Sequence, residues 1–372
     1  MDNPLTEIIC RKIEEQGMIR FRDFMELALY HPDHGYYMSG DERIGPGGDF
    51  YTSPHLHQIF GEIIGFQILE MLGYLQENGP FIVVEVGGGR GYLAEGVLET
   101  LQRGGSELDW TYLLVERNRA VMSRQRKILE RFGPRVQWVE SLEDLGRFRG
   151  VLLSNELLDA FPVHLIEYRE GFREVYLACG KDGFRELLSP VENPLLRDYI
   201  EKYGIPRIEG YRTEVNLEVK EFLRRVSRVM EDGFLMSIDY GYPAWEYYAP
   251  ERSRGTLLCY YRHQVVEDPC LNPGEQDITA HINFTALRDW GEERGFRAVG
   301  YAPQGTFLIS SGIDRLISER LEREREFERE LPKIKGLILG MGETHKVMVQ
   351  YRGDGPLPEL SGFLLRNRMS RL

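Results

Sequence analysis

Phe81-Ile82-Val83-Val84-Glu85-Val86-Gly87-Gly88-Gly89-Arg90-Gly91-Tyr92-Leu93 is the stretch on which the reading of this 372-residue chain turns. An apolar hexapeptide interrupted only by Glu85 stops at a run of glycines. Leu93, Ala94, Val97, Leu98 and Leu101 then recur at helical spacing. The pattern predicts a buried parallel strand, a tight turn and a helix. Glycines let a backbone approach a ligand where a side chain would collide. The first amides of the helix lack intrahelical partners and form a polar floor.

The spacing narrows the ligand. A dinucleotide fingerprint, G-x-G-x-x-G, would place its last glycine where Tyr92 stands. Glu85 at the strand end would repel a pyrophosphate and suits an ammonium group. The order E-x-G-x-G-x-G resembles the first motif of class I S-adenosylmethionine (SAM) methyltransferases. Glu85, Gly87, Gly89 and Gly91 are therefore candidate cofactor-binding residues. A strand-turn-helix of another α/β fold is the structural alternative.

Thr111 to Glu116 reads as a second strand ending in an acid. Glu116 lies 25 residues after Gly91, a β-α-β distance, and a carboxylate there accepts hydrogen bonds from ribose hydroxyls. Its alternative role is a helix N-terminal acid. Val151-Leu152-Leu153-Ser154-Asn155-Glu156 predicts a fourth strand, followed by Asp159. Ligands of open parallel sheets sit beyond the C-terminal strand ends. Asn155, Glu156 and Asp159 are thus expected at the same crevice, against the alternative of capping and solvated acids. Phe234 to Tyr242 predicts a fifth strand with Asp239 at its end. Gly45 to Pro54 combines glycines with polar side chains, and Gly48, Tyr51 and Thr52 are expected to fold over the cofactor. His55 and His57 have no companion ligand set, so no metal is expected. His281 reads as a packed histidine rather than a catalyst.

The formal charge is −13, from 46 basic and 59 acidic residues. That argues against a general nucleic-acid or anionic-lipid binder and is compatible with a basic polypeptide partner. Cys10, Cys179, Cys259 and Cys270 are scattered, which predicts a reducing compartment and no disulfide framework. No secretory core, transit pattern or membrane-length apolar run is evident, so a cytoplasmic protein without membrane insertion is expected.

The organisation expected is N-terminal helices and a covering loop over 1–55, the first part of the core over 56–180, and a hairpin-bearing insertion over 181–215. A core helix and fifth strand over 216–242, a substrate-side insertion over 243–283, the C-terminal core over 284–352 and a surface tail over 353–372 complete it. Asn3-Pro4 predicts a capped helix start. Ile59 to Leu72 predicts an amphipathic helix, and residues 172–179 and 184–188 a hairpin.

Several motifs together resemble the MidA family of class I SAM-dependent methyltransferases. They are Gly48-Asp49-Phe50-Tyr51-Thr52-Ser53-Pro54, Phe60-Gly61-Glu62, Glu85 to Gly91, Ser154-Asn155-Glu156 to Pro162, Ile238-Asp239-Tyr240-Gly241, and Asp277-Ile278-Thr279. The resemblance covers about residues 5 to 350. It implies an α/β, Rossmann-like seven-stranded methyltransferase sheet whose last strand inserts antiparallel, with an N-terminal helical region and insertions. Eukaryotic members are mitochondrial complex I assembly factors described as protein arginine methyltransferases. SAM as cofactor, a protein substrate, and a respiratory-complex-type subunit as partner are implied accordingly. Glu156, Asp159 and Asp239 become the candidate catalytic carboxylates. A homodimer is permitted. Two departures stand out: Gly88 replaces the family's usual proline, and Glu156 lacks a second glutamate on its own loop, Glu167 being eleven residues on. The alternatives are a SAM-binding assembly chaperone that transfers no methyl, and an NAD(P)-dependent oxidoreductase, which Tyr92 disfavours.

Overall fold

The computed structural model describes residues 3–39, 53–75, 80–105, 107–181, 183–262 and 264–372. The chain forms two compact units. One comprises Thr52–Leu157, Phe222–Gly241 and Phe284–Leu372; the other comprises Met1–Tyr51, Leu158–Glu221 and Tyr242–Asn283. The core thus changes unit after Leu157, not near residue 180.

Among the described residues, the first unit is built on seven strands: β1 (Phe81–Val86), β2 (Trp110–Val115), β3 (Val136–Val139), β4 (Phe148–Asn155), β5 (Met230–Tyr242), β6 (Arg297–Pro303) and β7 (His345–Arg352). Their order is β6-β7-β5-β4-β1-β2-β3. β1 pairs in parallel with both β2 and β4, and β4 with β5. β7 runs antiparallel to β5 and β6. This is the methyltransferase sheet that the resemblance implied, including its inverted last strand. β1 is central, which explains its near-continuous apolar run: a parallel strand covered on both faces needs apolar residues at successive positions. Val83 and Val84 are fully buried.

The helix Ile59–Tyr74 departs from expectation. It is buried on most of its circumference rather than on one face. Gly61 and Gly96 let it approach the Tyr92–Gly104 helix closely, since a Cβ on Gly96 would lie 2.9 Å from the Gly61 Cα. Glu62 has a fully buried side chain and pairs with Arg103 at 2.9 Å and with Arg320. A buried carboxylate left without its cations is strongly destabilising, so this family-motif acid acts as a fastener between helices. The tail is not merely surface: Leu360 and Phe363 are buried, and Glu70 accepts from the Ser361 amide at 3.0 Å.

In the second unit Asn3 caps the helix Pro4–Gln16, accepting from the Leu5 amide at 2.9 Å. That helix and Phe21–Tyr30 share a core with Val163, Leu165, Val175 and Leu177. An antiparallel sheet joins strands Ile19–Arg20, His164–Tyr168, Phe172–Gly180, Gly183–Pro190 and Arg212–Val215. The predicted hairpin is present as Phe172–Gly180 against Gly183–Pro190. A three-stranded sheet, Gln264–Val266, Leu258–Tyr261 and Asp277–Thr279, occupies the stretch read as an aromatic insertion. Cys10 and Cys179 form a disulfide, with Cα atoms 5.7 Å apart across a separation of 169 residues. The expectation of no disulfide is corrected. Spacing along the chain carried no sign of a pairing made by tertiary packing of a helix on a strand. Cys259 and Cys270 are free thiols.

Candidate active site

β1 ends where Gly87, Gly89 and Gly91 take φ values of 70°, 50° and 87°, a left-handed region that side chains disfavour. The Gly87 amide donates to the Val115 carbonyl at 3.1 Å, and the Gly91 amide to the Gly88 carbonyl at 2.9 Å. Nothing lies within 4 Å of where a Gly89 Cβ would stand, so the backbone there borders open space. Fully buried Gln125 donates to the Gly89 carbonyl at 2.8 Å and accepts from the Trp138 indole at 3.0 Å. The turn is therefore held by β2, by the helix Arg119–Leu129 and by β3.

Glu85 sits beneath this turn, 2 % exposed, accepting from the Tyr112 hydroxyl at 2.6 Å. A Cβ on Gly88 would meet the Glu85 carboxyl and the Leu114 side chain at 3.1 Å. The departure from proline at Gly88 thus coincides with a carboxylate packed directly below. Burial pushes the Glu85 carboxyl up from 4.5 to about 7; the Tyr112 bond opposes this and the Glu116 charge adds to it. Between those two values the folded protein keeps a proton that the unfolded chain has released. Stability contributed by this group therefore falls as pH rises through that window, by roughly 3 kcal/mol in total. Urea unfolding of ligand-free protein at pH 5 and pH 8 should show this loss, and Glu85→Gln should flatten it. Identical pH dependence in both proteins would remove the effect.

Glu116 stands just beyond β2. Its Oε1 accepts from the Asn118 amide at 2.8 Å, and burial raises its carboxyl. Asn118 caps the next helix through the Ala120 and Val121 amides. The acid is thus both a local cap partner and a fixed acceptor at a strand end.

Glu156 follows β4 with φ 47°, an uncommon conformation for a non-glycine residue and one that clusters at functional sites. Its amide donates to the Ile238 carbonyl at 2.8 Å. Oε1 accepts from the Ser53 amide at 3.1 Å and from Asn155 Nδ2 at 3.3 Å, and Oε2 from the Tyr240 hydroxyl at 3.2 Å. His345 Nε2 lies 3.7 Å from Oε1, and the Glu156 side chain is 4 % exposed. Ser53 Oγ in turn donates to Gln304 Oε1 at 3.2 Å. Asp239 is buried on β5, accepting from the Tyr240 amide at 2.9 Å. Asp159 belongs to the second unit, where its carbonyl accepts from the Ala280 amide at 2.9 Å. Gly48, Tyr51 and Thr52 lie outside the described residues. Sequence reasoning missed Ser53, Gln304 and His345 as neighbours of Glu156. A histidine opening the strand His345–Arg352 was the sign available for His345.

The family model described as "Putative S-adenosyl-L-methionine-dependent methyltransferase" matches residues 63–302. The chain belongs to this methyltransferase family. A crystal structure from Burkholderia thailandensis with S-adenosyl-homocysteine bound is similar over 99 % of this chain and 96 % of that one, at 34 % identity and a TM-score of 0.91. A Caenorhabditis elegans protein, named a mitochondrial homolog of protein arginine methyltransferase NDUFAF7, is 28 % identical over 98 % of this chain and 89 % of its own. The human protein arginine methyltransferase NDUFAF7, also named mitochondrial, is 26 % identical over 87 % and 78 %. The cytoplasmic expectation is overturned by these mitochondrial relatives. It rested on the N-terminal composition, which does not report compartment here. The methyltransferase uses SAM, and its residues fit that ligand. Bare backbone at Gly89 borders open space. Glu116 is a fixed acceptor one strand away. The buried Asn155 Oδ1 has no hydrogen-bond partner among the described residues. In the described residues no group of three or more His, Cys, Asp or Glu could hold a metal, and no helix is long and apolar enough to cross a membrane.

Proposed function

We propose that this methyltransferase modifies a guanidinium nitrogen of arginine in a partner protein, with Glu156 as the group that receives the substrate. The observation that carries the reading is the Glu156 carboxylate, held by three donors at a strand end. The naming of the relatives as protein arginine methyltransferases supports the choice of arginine. Glu85 and the glycine turn would hold the methionine end of SAM and Glu116 the ribose. Asp239 assists Glu156 in this proposal. A basic segment of a respiratory-complex-type subunit is the proposed partner class, and the acidic balance of the chain favours its approach. A homodimer is part of the proposal, its test being mass in solution.

When bound, SAM supplies an electrophilic methyl whose S–C bond breaks, the pair staying on sulfur, as the N–C bond forms. The chain supplies orientation and a proton acceptor. A carboxylate has about four acceptor sites; with three occupied, Glu156 has about one left for a guanidinium N–H. A guanidinium is charged at neutral pH, with a pKa above about 12. It must lose a proton as its nitrogen is methylated, and Glu156 takes it. Labelled SAM incubated with arginine-containing peptides, and with mitochondrial extract, should place label in methylarginine. Label confined to lysine, or to small molecules, would reject the reading.

A further inference from the structure

We propose that His345 is a positioning residue for Glu156 and takes over the proton that Glu156 removes; this rests on the reading of Glu156 just given. His345 opens β7 and is fully buried. Its Nδ1 lies 3.1 Å from the Met341 carbonyl oxygen and 3.1 Å from Thr344 Oγ1. A carbonyl only accepts, and the Thr344 hydroxyl itself donates to the same carbonyl at 3.1 Å. Nδ1 therefore carries the hydrogen, and the neutral ring presents its lone pair at Nε2.

Nε2 has no hydrogen-bond partner among the described residues and lies 3.7 Å from Glu156 Oε1. The ring packs on Tyr240 with centroids 4.0 Å apart, and the Tyr240 hydroxyl donates to the other Glu156 oxygen. β5 and β7 thus place one polar group on each carboxylate oxygen. The remaining charged groups nearby are engaged: the Lys346 ammonium donates to the Glu343 and Thr344 carbonyls, and Asp239 accepts from the Tyr240 amide. A lone pair facing a carboxylate repels it, and a proton between them converts that repulsion to attraction. During turnover one N–H bond of the methylated guanidinium breaks. Its proton passes to Glu156 and then to Nε2, which must close by about an ångström to bond. Glu156 is regenerated as a carboxylate and His345 ends as imidazolium, discharging to solvent after product leaves.

Nitrogen NMR of histidine-labelled protein, assigned with His345→Gln, reads tautomer and titration without any methyl acceptor. The expected result is hydrogen on Nδ1 and a proton affinity at Nε2 that drops at least about tenfold in Glu156→Gln. Hydrogen on Nε2, or a titration that Glu156→Gln leaves unmoved, overturns the proposal. On the acceptor found by labelling, His345→Gln should lower kcat by about 10²-fold, keep the calorimetric Kd for SAM, and lose the acid limb of the pH–rate profile. A wild-type rate in His345→Gln beside an inactive Glu156→Gln overturns the proposal alone. A fully active Glu156→Gln removes the underlying reading and the proposal with it. The Glu156→Gln titration keeps the question answerable if the histidine variant folds poorly.

Discussion

Glu156→Gln is expected to bind SAM as the wild type does and to lose turnover by about 10²–10⁴-fold, the range for removing a general acid–base group. The amide keeps one acceptor oxygen for the Ser53 amide and Asn155 Nδ2, so the local structure should survive. Its nitrogen cannot accept the Tyr240 hydroxyl hydrogen, and that hydroxyl can turn to serve as the acceptor instead. What the variant cannot do is take a proton. Calorimetry with SAM, followed by labelled methyl transfer, separates the two properties. Wild-type turnover would remove Glu156 from the chemistry, and lost SAM binding would reassign it to the cofactor.

The second large effect is expected at the turn. Gly87→Val forces a β-branched residue to φ 70° and places its Cβ 2.8 Å from Leu157 Cδ1. Strain of about 1–3 kcal/mol adds to displacement of the residue that follows Glu156. SAM affinity should fall by roughly 100-fold or more, with a lowered Tm. Gly89→Ala supplies the contrast. At φ 50° alanine is tolerated at modest cost, and its methyl meets no protein atom within 4 Å. It should retain most of its Tm and still lose affinity, because the methyl enters the space proposed for the ligand. Undiminished affinity in Gly89→Ala would place SAM elsewhere.

These contrasts show what the sequence made legible. β1, its glycine turn and the following helix were readable because local rules agree there: a doubly covered strand is continuously apolar, and a turn with positive φ demands glycine. The strand-end position of Glu156 was readable because an apolar run stops there, at the kind of place where parallel sheets meet ligands. His345 was not, because it reaches Glu156 only through the antiparallel insertion of β7 beside β5, a pairing between residues about a hundred positions apart. The unit boundary at Leu157 was hidden for the opposite reason. The strands His164–Tyr168 and Phe172–Gly180 have ordinary apolar patterning, and nothing in it says which sheet they join. The Cys10–Cys179 pairing shares that origin, being a product of helix-on-strand packing.

The division of the chain also sets a timetable for synthesis. The N-terminal helices pack on strands that emerge from the ribosome only after residue 160, with Cys179 trailing Cys10 by 169 positions. At about 5–20 residues per second the wait is on the order of ten to thirty seconds. Through it Leu5, Ile9 and Ile13 lack the strand residues Val163, Leu165, Val175 and Leu177 of their core. The nascent protein must shelter its own beginning while the first unit starts to fold, an interval in which exposed apolar surface favours aggregation.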